Sequence, residues 1–378
     1  VCSPARAGLM TGRTPWRAGI HSWIPMFSPV HLRKEEISIA TLLRRAGYAT
    51  CHVGKWHLNG KFNMPGQPQP PDHGFDHWFS TQNNALPNHH NPENFVRNGE
   101  PVKPLEGYSA HLVADEAMGW LRSHCANASS SPFFMYACFH EPHEPIATAQ
   151  EFASLYPSPG EPSRAAHHGN VTQMDAAVGR LLACLDDLGL RETTLVFFTS
   201  DNGPAITPMH PHGSAGPLRD KKGSMYEGGI RVPGILRWPG HTTPGTVSAE
   251  PVSAVDLLPT FCAIADVPVP KDRAIDGANL LPMLDGNPIE RTTPLYWQYN
   301  RAHSAPKVAM RVGDWKILGH LDLPELKPGV DQTAEEMSRF KTAELTTFEL
   351  YNLRRDIGET TDLAEQEPQR LAELSATL

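Results

Sequence analysis

Apolar positions in residues 37–46 (ISIATLLRRA) recur at helical spacing and stop at Gly47, which predicts a helix with a glycine C-terminal cap. Residues 48–53 then read as a short strand running into a Gly-Lys loop. A second helix is expected over 110–124, followed by a strand-length apolar run at 132–139. Residues 171–188 (VTQMDAAVGRLLACLDDL) form a strongly amphipathic pattern stopped by Gly189. The next buried strand is 194–199, which leads into Asp201-Asn202-Gly203, and 230–237 is read as another. Helices alternating with apolar strands predict an α/β fold, a mostly parallel sheet flanked by helices. The polar motifs follow the C-terminal ends of strands, the edge where open α/β sheets bind ligands. Beyond about residue 290 the texture changes to short strands (PLYWQY, VAMRVGDWKIL, FELYNL) and a last helix through QRLAEL. This divides the chain into a main domain, 1–290, and a smaller C-terminal antiparallel α+β subdomain, 291–378. Residues 65–104, rich in Pro, Asn and His, are expected to be a long surface loop shaping a pocket.

Charge narrows the classes of function. The 378 residues carry a net charge of −8, which disfavours nucleic acid and anionic membranes as partners. No apolar run approaches the ~20 residues of a membrane span. The six cysteines, at 2, 51, 125, 138, 184 and 262, show neither metal-site spacing nor a dense disulfide framework. Asn127-Ala128-Ser129 and Asn170-Val171-Thr172 match the glycosylation pattern, for which chance occurrence is an equal reading. Nothing in the sequence sets the oligomeric state.

The chemistry begins with Cys2-Ser3-Pro4-Ala5-Arg6, followed by Thr11-Gly12-Arg13. Pro4 suits the first turn of a helix, which places Cys2 near a helix N-terminus, where negative charge is favoured. Arg6 lies one turn on, on the same side. The arrangement suits an oxyanion beside a nucleophile, and equally a structural cysteine beside a surface arginine. Three further blocks bear on the choice: Gly54-Lys55-Trp56-His57-Leu58, Ser200-Asp201-Asn202-Gly203-Pro204, and Lys222-Gly223 continuing to Glu227-Gly228-Gly229-Ile230-Arg231-Val232-Pro233. In this order the four resemble the signature blocks of type I, formylglycine-dependent sulfatases of the arylsulfatase A and N-acetylgalactosamine-6-sulfatase kind. Asn59 stands where that family usually has Gly. The resemblance implies an alkaline-phosphatase-like fold and hydrolysis of sulfate monoesters, with sulfated carbohydrates as the expected substrates.

The resemblance also implies roles. A formylglycine-generating or equivalent maturation enzyme converts Cys2 to an aldehyde. Its hydrate attacks sulfur with one hydroxyl and expels sulfate with the other, an exit that a serine ester lacks. Arg6, Lys55 and Lys222 match positions that orient the nucleophile and bind sulfate, supplying positive charge where negative charge develops. His57 matches a histidine near the nucleophile. His143, in Phe139-His140-Glu141-Pro142-His143-Glu144-Pro145, is expected to protonate the leaving alcohol and bind substrate, with His140 as the weaker candidate. A zinc site on the two histidines is disfavoured because Pro142 breaks the helix it would need. Asp201 and Asn202 are hard oxygen ligands for one Ca²⁺, with Mg²⁺ the alternative, and formylglycine from Cys2 joins them. His89-His90 and His167-His168 are expected in loops, and Glu227 and Arg231 are expected to buttress the Lys222 loop.

In the family an acidic pair on a first strand, upstream of the nucleophile, completes the cation site. The sequence starts at Val1, so it is expected to lack that strand and to need it for activity. Any leader would also lie upstream, and the resemblance implies a secreted, periplasmic or lysosome-like protein. Competing readings are a formylglycine-dependent phosphate or phosphonate ester hydrolase of the same superfamily, and a non-catalytic binder of sulfated glycans.

Overall fold

The computed structural model describes residues 1–102, 104–126, 131–323 and 334–378. Helices α1 (Cys2–Thr11), α2 (Pro15–Ala18) and α3 (Ile39–Arg45) come first, then strands β1 (Ala49–Lys55), β2 (His77–Thr81), β3 (Val96–Arg97) and β4 (Glu100–Pro101). Next are α4 (Ser109–Ala126), β5 (Phe133–Cys138), α5 (Gln150–Ala153), α6 (Pro162–Asp187), β6 (Val196–Thr199), α7 (Glu227–Ile230) and β7 (Gly234–Arg237). The helices α8 (Leu257–Ile264) and α9 (Leu281–Leu284) precede β8 (Leu295–Gln298), β9 (Val308–Val312) and β10 (Trp315–Leu321). The chain closes with α10 (Ala334–Thr342), β11 (Leu345–Asn352) and α11 (Pro368–Thr377).

A five-stranded sheet has the order β4-β3-β2-β1-β5, with β1 parallel to both β2 and β5 and the short β3 and β4 antiparallel at one edge. Side chains alternate across its central strands, as a period of two requires. Cys51 and Val53 of β1, with Met135 and Ala137 of β5, pack against Val113 and Ala117 of α4. On the opposite face His52 meets the rings of Trp56, Phe75 and Tyr136. Phe134 joins the α3 and α8 side chains Leu42, Leu43 and Leu257. The expected α/β core is therefore present, helices covering both faces. Gly54 permits the close pairing of β1 with β5: its φ is 94°, and a Cβ there would lie 1.9 Å from the Cys138 carbonyl oxygen.

The C-terminal strands form a separate antiparallel sheet, β11-β10-β9-β8. It shares a core with the segment carrying Lys222: Met225 and Tyr226 pack with Ala309, Leu318, Tyr351 and Leu353.

Several elements depart from the sequence reading. Helix α6 starts at Pro162, well before Val171, because its first turns are held by polar contacts that leave no apolar period. Thr148 Oγ1 donates to the Ala166 carbonyl at 2.7 Å, and Gln173 Oε1 accepts from Ala149 N at 2.8 Å. His167 and His168 thus lie on this helix, not in a loop. Asn170 is fully buried in it and donates to Ala147 O, so the folded chain offers no glycosylation acceptor there. The other pattern, at 127–129, lies outside the described residues. The segment 65–104 is more than a loop, since it supplies β2, β3 and β4 to the main sheet. Residues 230–237 do not form one strand, because α7 ends at Ile230 and only 234–237 pair, antiparallel to β6.

Among the described residues β6 pairs only with β7, and β5 is an edge of its sheet. Both line one cleft of about 2010 Å³, walled by apolar residues of 133–139 and 194–198. Among the described residues no helix is long and apolar enough to cross a membrane, and all six cysteines are free.

Candidate active site

Cys2 lies in the first turn of α1, as its Pro4 spacing predicts, and is buried. Its Sγ lies 3.7 Å from Asn202 Oδ1, on the turn that follows β6. Gly203 lets that turn pack against α7: a Cβ on Gly203 would lie 1.9 Å from the Gly228 carbonyl oxygen. The end of β1 brings in Lys55, and the segment before α7 brings in Lys222. Residues far apart in the sequence thus meet at the ends of β1, β5 and β6.

Arg6 is a brace within this cluster. Its Nη1 donates to the Lys55 carbonyl at 2.8 Å, and its Nε and Nη2 reach Asp201 Oδ2 at 3.2 and 3.1 Å. The planar guanidinium suits this forked bonding, which couples α1, β1 and the Asp201 turn. Burial would raise the Asp201 carboxyl, but Arg6, Lys55 and Lys222 outweigh it and hold the group ionised.

Charge at Cys2 follows the same logic. Burial pushes its thiol up; Lys55 and then Lys222 pull it down past the opposing Asp201, to about 7. Lys55 is itself lowered by burial, whereas Lys222 is raised because the anionic Cys2 and Asp201 offset its burial. The pocket therefore favours an anion at the Cys2 position.

His143 Nδ1 donates to the Glu144 carbonyl at 2.9 Å, which leaves Nε2 to accept from Lys222 Nζ at 3.1 Å. Burial and the two lysines lower its pKa. The proton of this pair rests on Lys222. His140 sits deeper, its Nε2 on Thr81 Oγ1 at 2.8 Å, and burial keeps it neutral. His57 Nε2 donates to Ile24 O at 3.0 Å, and Ile24 N in turn donates to Ser3 Oγ, beside Cys2. Its buried Nδ1 has no hydrogen-bond partner among the described residues.

Some participants escaped the sequence reading. His89 is fully buried, 3.7 Å from Glu141, while its neighbour His90 is exposed. Glu144 Oε2 lies between His143 Nδ1, at 3.4 Å, and His210 Nε2, at 3.7 Å. The signal for the glutamates was the repeated Glu-Pro around His143; His89 and His210 lie in Pro-rich loops with no such signal.

Asp201 and Asn202 offer the hard oxygens a group 2 cation prefers, and Asp201 is held ionised. These two side chains fit such a cation in kind but fall short of its usual six to eight ligands. No cluster of three or more His, Cys, Asp or Glu suited to a metal occurs among the described residues.

Known proteins resemble this chain over most of its length. The Sulfatase family model matches residues 1–267, and the model for the C-terminal part of N-sulphoglucosamine sulphohydrolase matches 218–328. The chain is similar to N-acetylgalactosamine-6-sulfatase of Rattus norvegicus, at 34% identity over 95% of this chain and 71% of that protein. It is also similar to arylsulfatase A of Homo sapiens, at 33% identity over 96% of this chain and 74% of that one. Among solved structures, Ps i-CgsB in complex with k-i-k-neocarrahexaose superposes with a TM-score of 0.81 and 27% identity, covering 99% of this chain and 82% of that one. Family membership carries with it formylglycine modification and a divalent metal in general terms. With an anion-favouring pocket around Cys2 and relatives aligned along nearly its full length, the chain belongs to the sulfatase family and is a sulfate ester hydrolase.

Proposed function

We propose that the chain cleaves sulfate monoesters of carbohydrates, using the formylglycine formed from Cys2 and one Ca²⁺. The observation that carries this is the cationic surround of Cys2, whose thiol Lys55 and Lys222 hold down at about 7 despite burial. The formylglycine hydrate supplies a hydroxyl that attacks sulfur and a second hydroxyl that later releases sulfate. Asp201 and Asn202, with an oxygen at the Cys2 position, would hold the cation, which when bound polarises the sulfate and the nucleophile.

The other steps belong to the chain's own side chains. Lys55 and Lys222 bind the sulfate oxygens and stabilise charge as the ester bond lengthens. Arg6 keeps Asp201 and the end of β1 in register. His143 protonates the departing alcohol oxygen through Nε2, with the proton drawn from Lys222 across their 3.1 Å contact, while Lys222, beside residue 2, regains a proton from the attacking hydroxyl and so keeps its charge. His57 aligns the first turn of α1 through Ile24 and Ser3. We place the boundary of the catalytic domain near 290. The names N-acetylgalactosamine-6-sulfatase and neocarrahexaose favour a saccharide as the leaving group. The 205–219 segment, which lines the cleft through His210, Ser214 and Leu218, would choose among such saccharides.

The test compares 4-nitrophenyl sulfate with 4-nitrophenyl phosphate, using the protein as its natural gene encodes it, made alongside a formylglycine-generating enzyme and supplied with Ca²⁺. Preferential sulfate turnover is expected. Preference for phosphate, or binding of sulfated saccharides without turnover, would overturn the reading.

A further inference from the structure

Lys316 is fully buried in β10, in the C-terminal sheet, and does not touch the pocket. Its Nζ donates to Glu227 Oε1 at 2.9 Å and lies 2.8 Å from Glu359 Oε1, off the line of a good hydrogen bond. Glu359 Oε2 accepts from Glu227 N at 2.6 Å, at the start of α7. Arg231 Nη1 reaches the other oxygen of Glu227 at 3.2 Å. Three charged side chains, all at least 97% buried by exposures of 0%, 0% and 3%, thus close on a four-residue helix.

Stability alone is a weak reason for such a group. Burying ions is costly, and an apolar replacement of equal volume is often as stable. The backbone adds a second observation. Glu359 has φ of 51°, a conformation that costs a non-glycine residue energy and persists where its surroundings over-determine it. Its carbonyl is also held, accepting from Arg219 Nη1 at 2.9 Å.

What α7 holds explains the arrangement. Gly229 O accepts from Gly203 N at 3.1 Å, next to Asn202. Pro204 O, on the same turn, accepts from Lys222 N at 3.0 Å. Arg219 O accepts from Gly228 N at 2.8 Å, and Gly223 O accepts from His303 N at 2.8 Å. The Asp201–Asn202 turn and the Lys222 backbone are therefore both stitched to α7 and its flanks, and the C-terminal subdomain clasps that segment.

We propose that Lys316, Glu227 and Glu359 are positioning residues: from the C-terminal sheet they fix α7, and through it the Lys222 ammonium that serves His143. The proposal rests on the role given above to the Lys222–His143 pair. A displacement of about 1 Å at a catalytic group can cost on the order of a hundredfold in rate. The loss should fall mainly on substrates whose leaving group needs a proton.

Two variants test it: Glu359→Gln, and the neutral triple Glu227→Gln, Lys316→Met, Glu359→Gln, which leaves no unpaired charge from the triad. Turnover of phenyl sulfate and of 4-nitrophenyl sulfate is measured per folded molecule, beside the unsubstituted protein. The expected result is a roughly 10–100-fold fall in kcat for phenyl sulfate and a several-fold smaller fall for 4-nitrophenyl sulfate. Equal losses on both substrates, or no loss, would overturn the positioning role, as would loss of the fold in both variants. If the unsubstituted protein turns over neither sulfate, the proposed function itself fails, which is a separate outcome.

Discussion

The thiol of Cys2 reports the field of the pocket before any chemistry occurs. In protein made without a maturation enzyme, Cys2 should ionise at about 7 instead of the ordinary 9.0. The difference corresponds to ~3 kcal/mol favouring the thiolate, at about 1.4 kcal/mol per pH unit. Burial and Asp201 both act against ionisation, so the lysines supply more than the net amount. Lys55 is the larger contributor and Lys222 the smaller. Lys55→Met should therefore carry the midpoint back to the ordinary thiol range or above, and Lys222→Met should move it the same way by less. The assay is thiolate absorbance near 240 nm across about pH 5 to 9.5, with the Cys2→Ser signal subtracted. Burial pushes Cys51, Cys138, Cys184 and Cys262 upward, so they stay silent near neutrality. A midpoint at 9 in the unsubstituted chain, or one indifferent to Lys55→Met, would refute the idea that these lysines aim an anion-stabilising field at residue 2.

Two other consequences can be measured. His143→Gln should cost ~10²–10⁴ in kcat on phenyl sulfate and much less on 4-nitrophenyl sulfate, whose phenol leaves without help; equal losses would remove His143 from the acid role. Burial holds His52 at about 3 and His73 at about 4, and keeps His57 and His140 well below their ordinary value. These rings stay neutral in the fold but take up protons when unfolded below about 6.5, so stability should fall as pH drops from there towards 4. Each contributes up to ~1.4 kcal/mol per pH unit in that window. Urea midpoints at pH 7, 6 and 5 measure this, and a midpoint that holds steady or rises on acidification would contradict it.

The chain wrote some of this plainly and some of it not at all. Continuous apolar runs announced β5 and β6, and both strands are half-buried where they wall the cleft. Ser38, whose Oγ accepts from Thr41 N at 2.9 Å, starts α3 inside the span its apolar pattern predicts. β2 was hidden because its neighbours in sequence are prolines, asparagines and histidines, and its partner β1 comes from elsewhere. The first turns of α6 were hidden because polar bonds to the α5 segment hold them.

Within the site, motif residues such as Cys2, Lys55, Asp201 and Lys222 were legible because each sits in a short block with fixed neighbours. The proton's place on Lys222 was not, since it depends on the Glu144 carbonyl occupying His143 Nδ1. Lys316 reads as one charged residue in an apolar strand, and only the fold shows that two glutamates from distant segments surround it.

If Cys2 becomes the nucleophile, the peptide carrying residue 2 records the change in its mass. In protein that turns over aryl sulfate, that peptide should carry the aldehyde or its hydrate, while a Cys2→Ala control shows no turnover. Sustained turnover by protein whose Cys2 is wholly unmodified thiol, or by the alanine variant, would contradict the account.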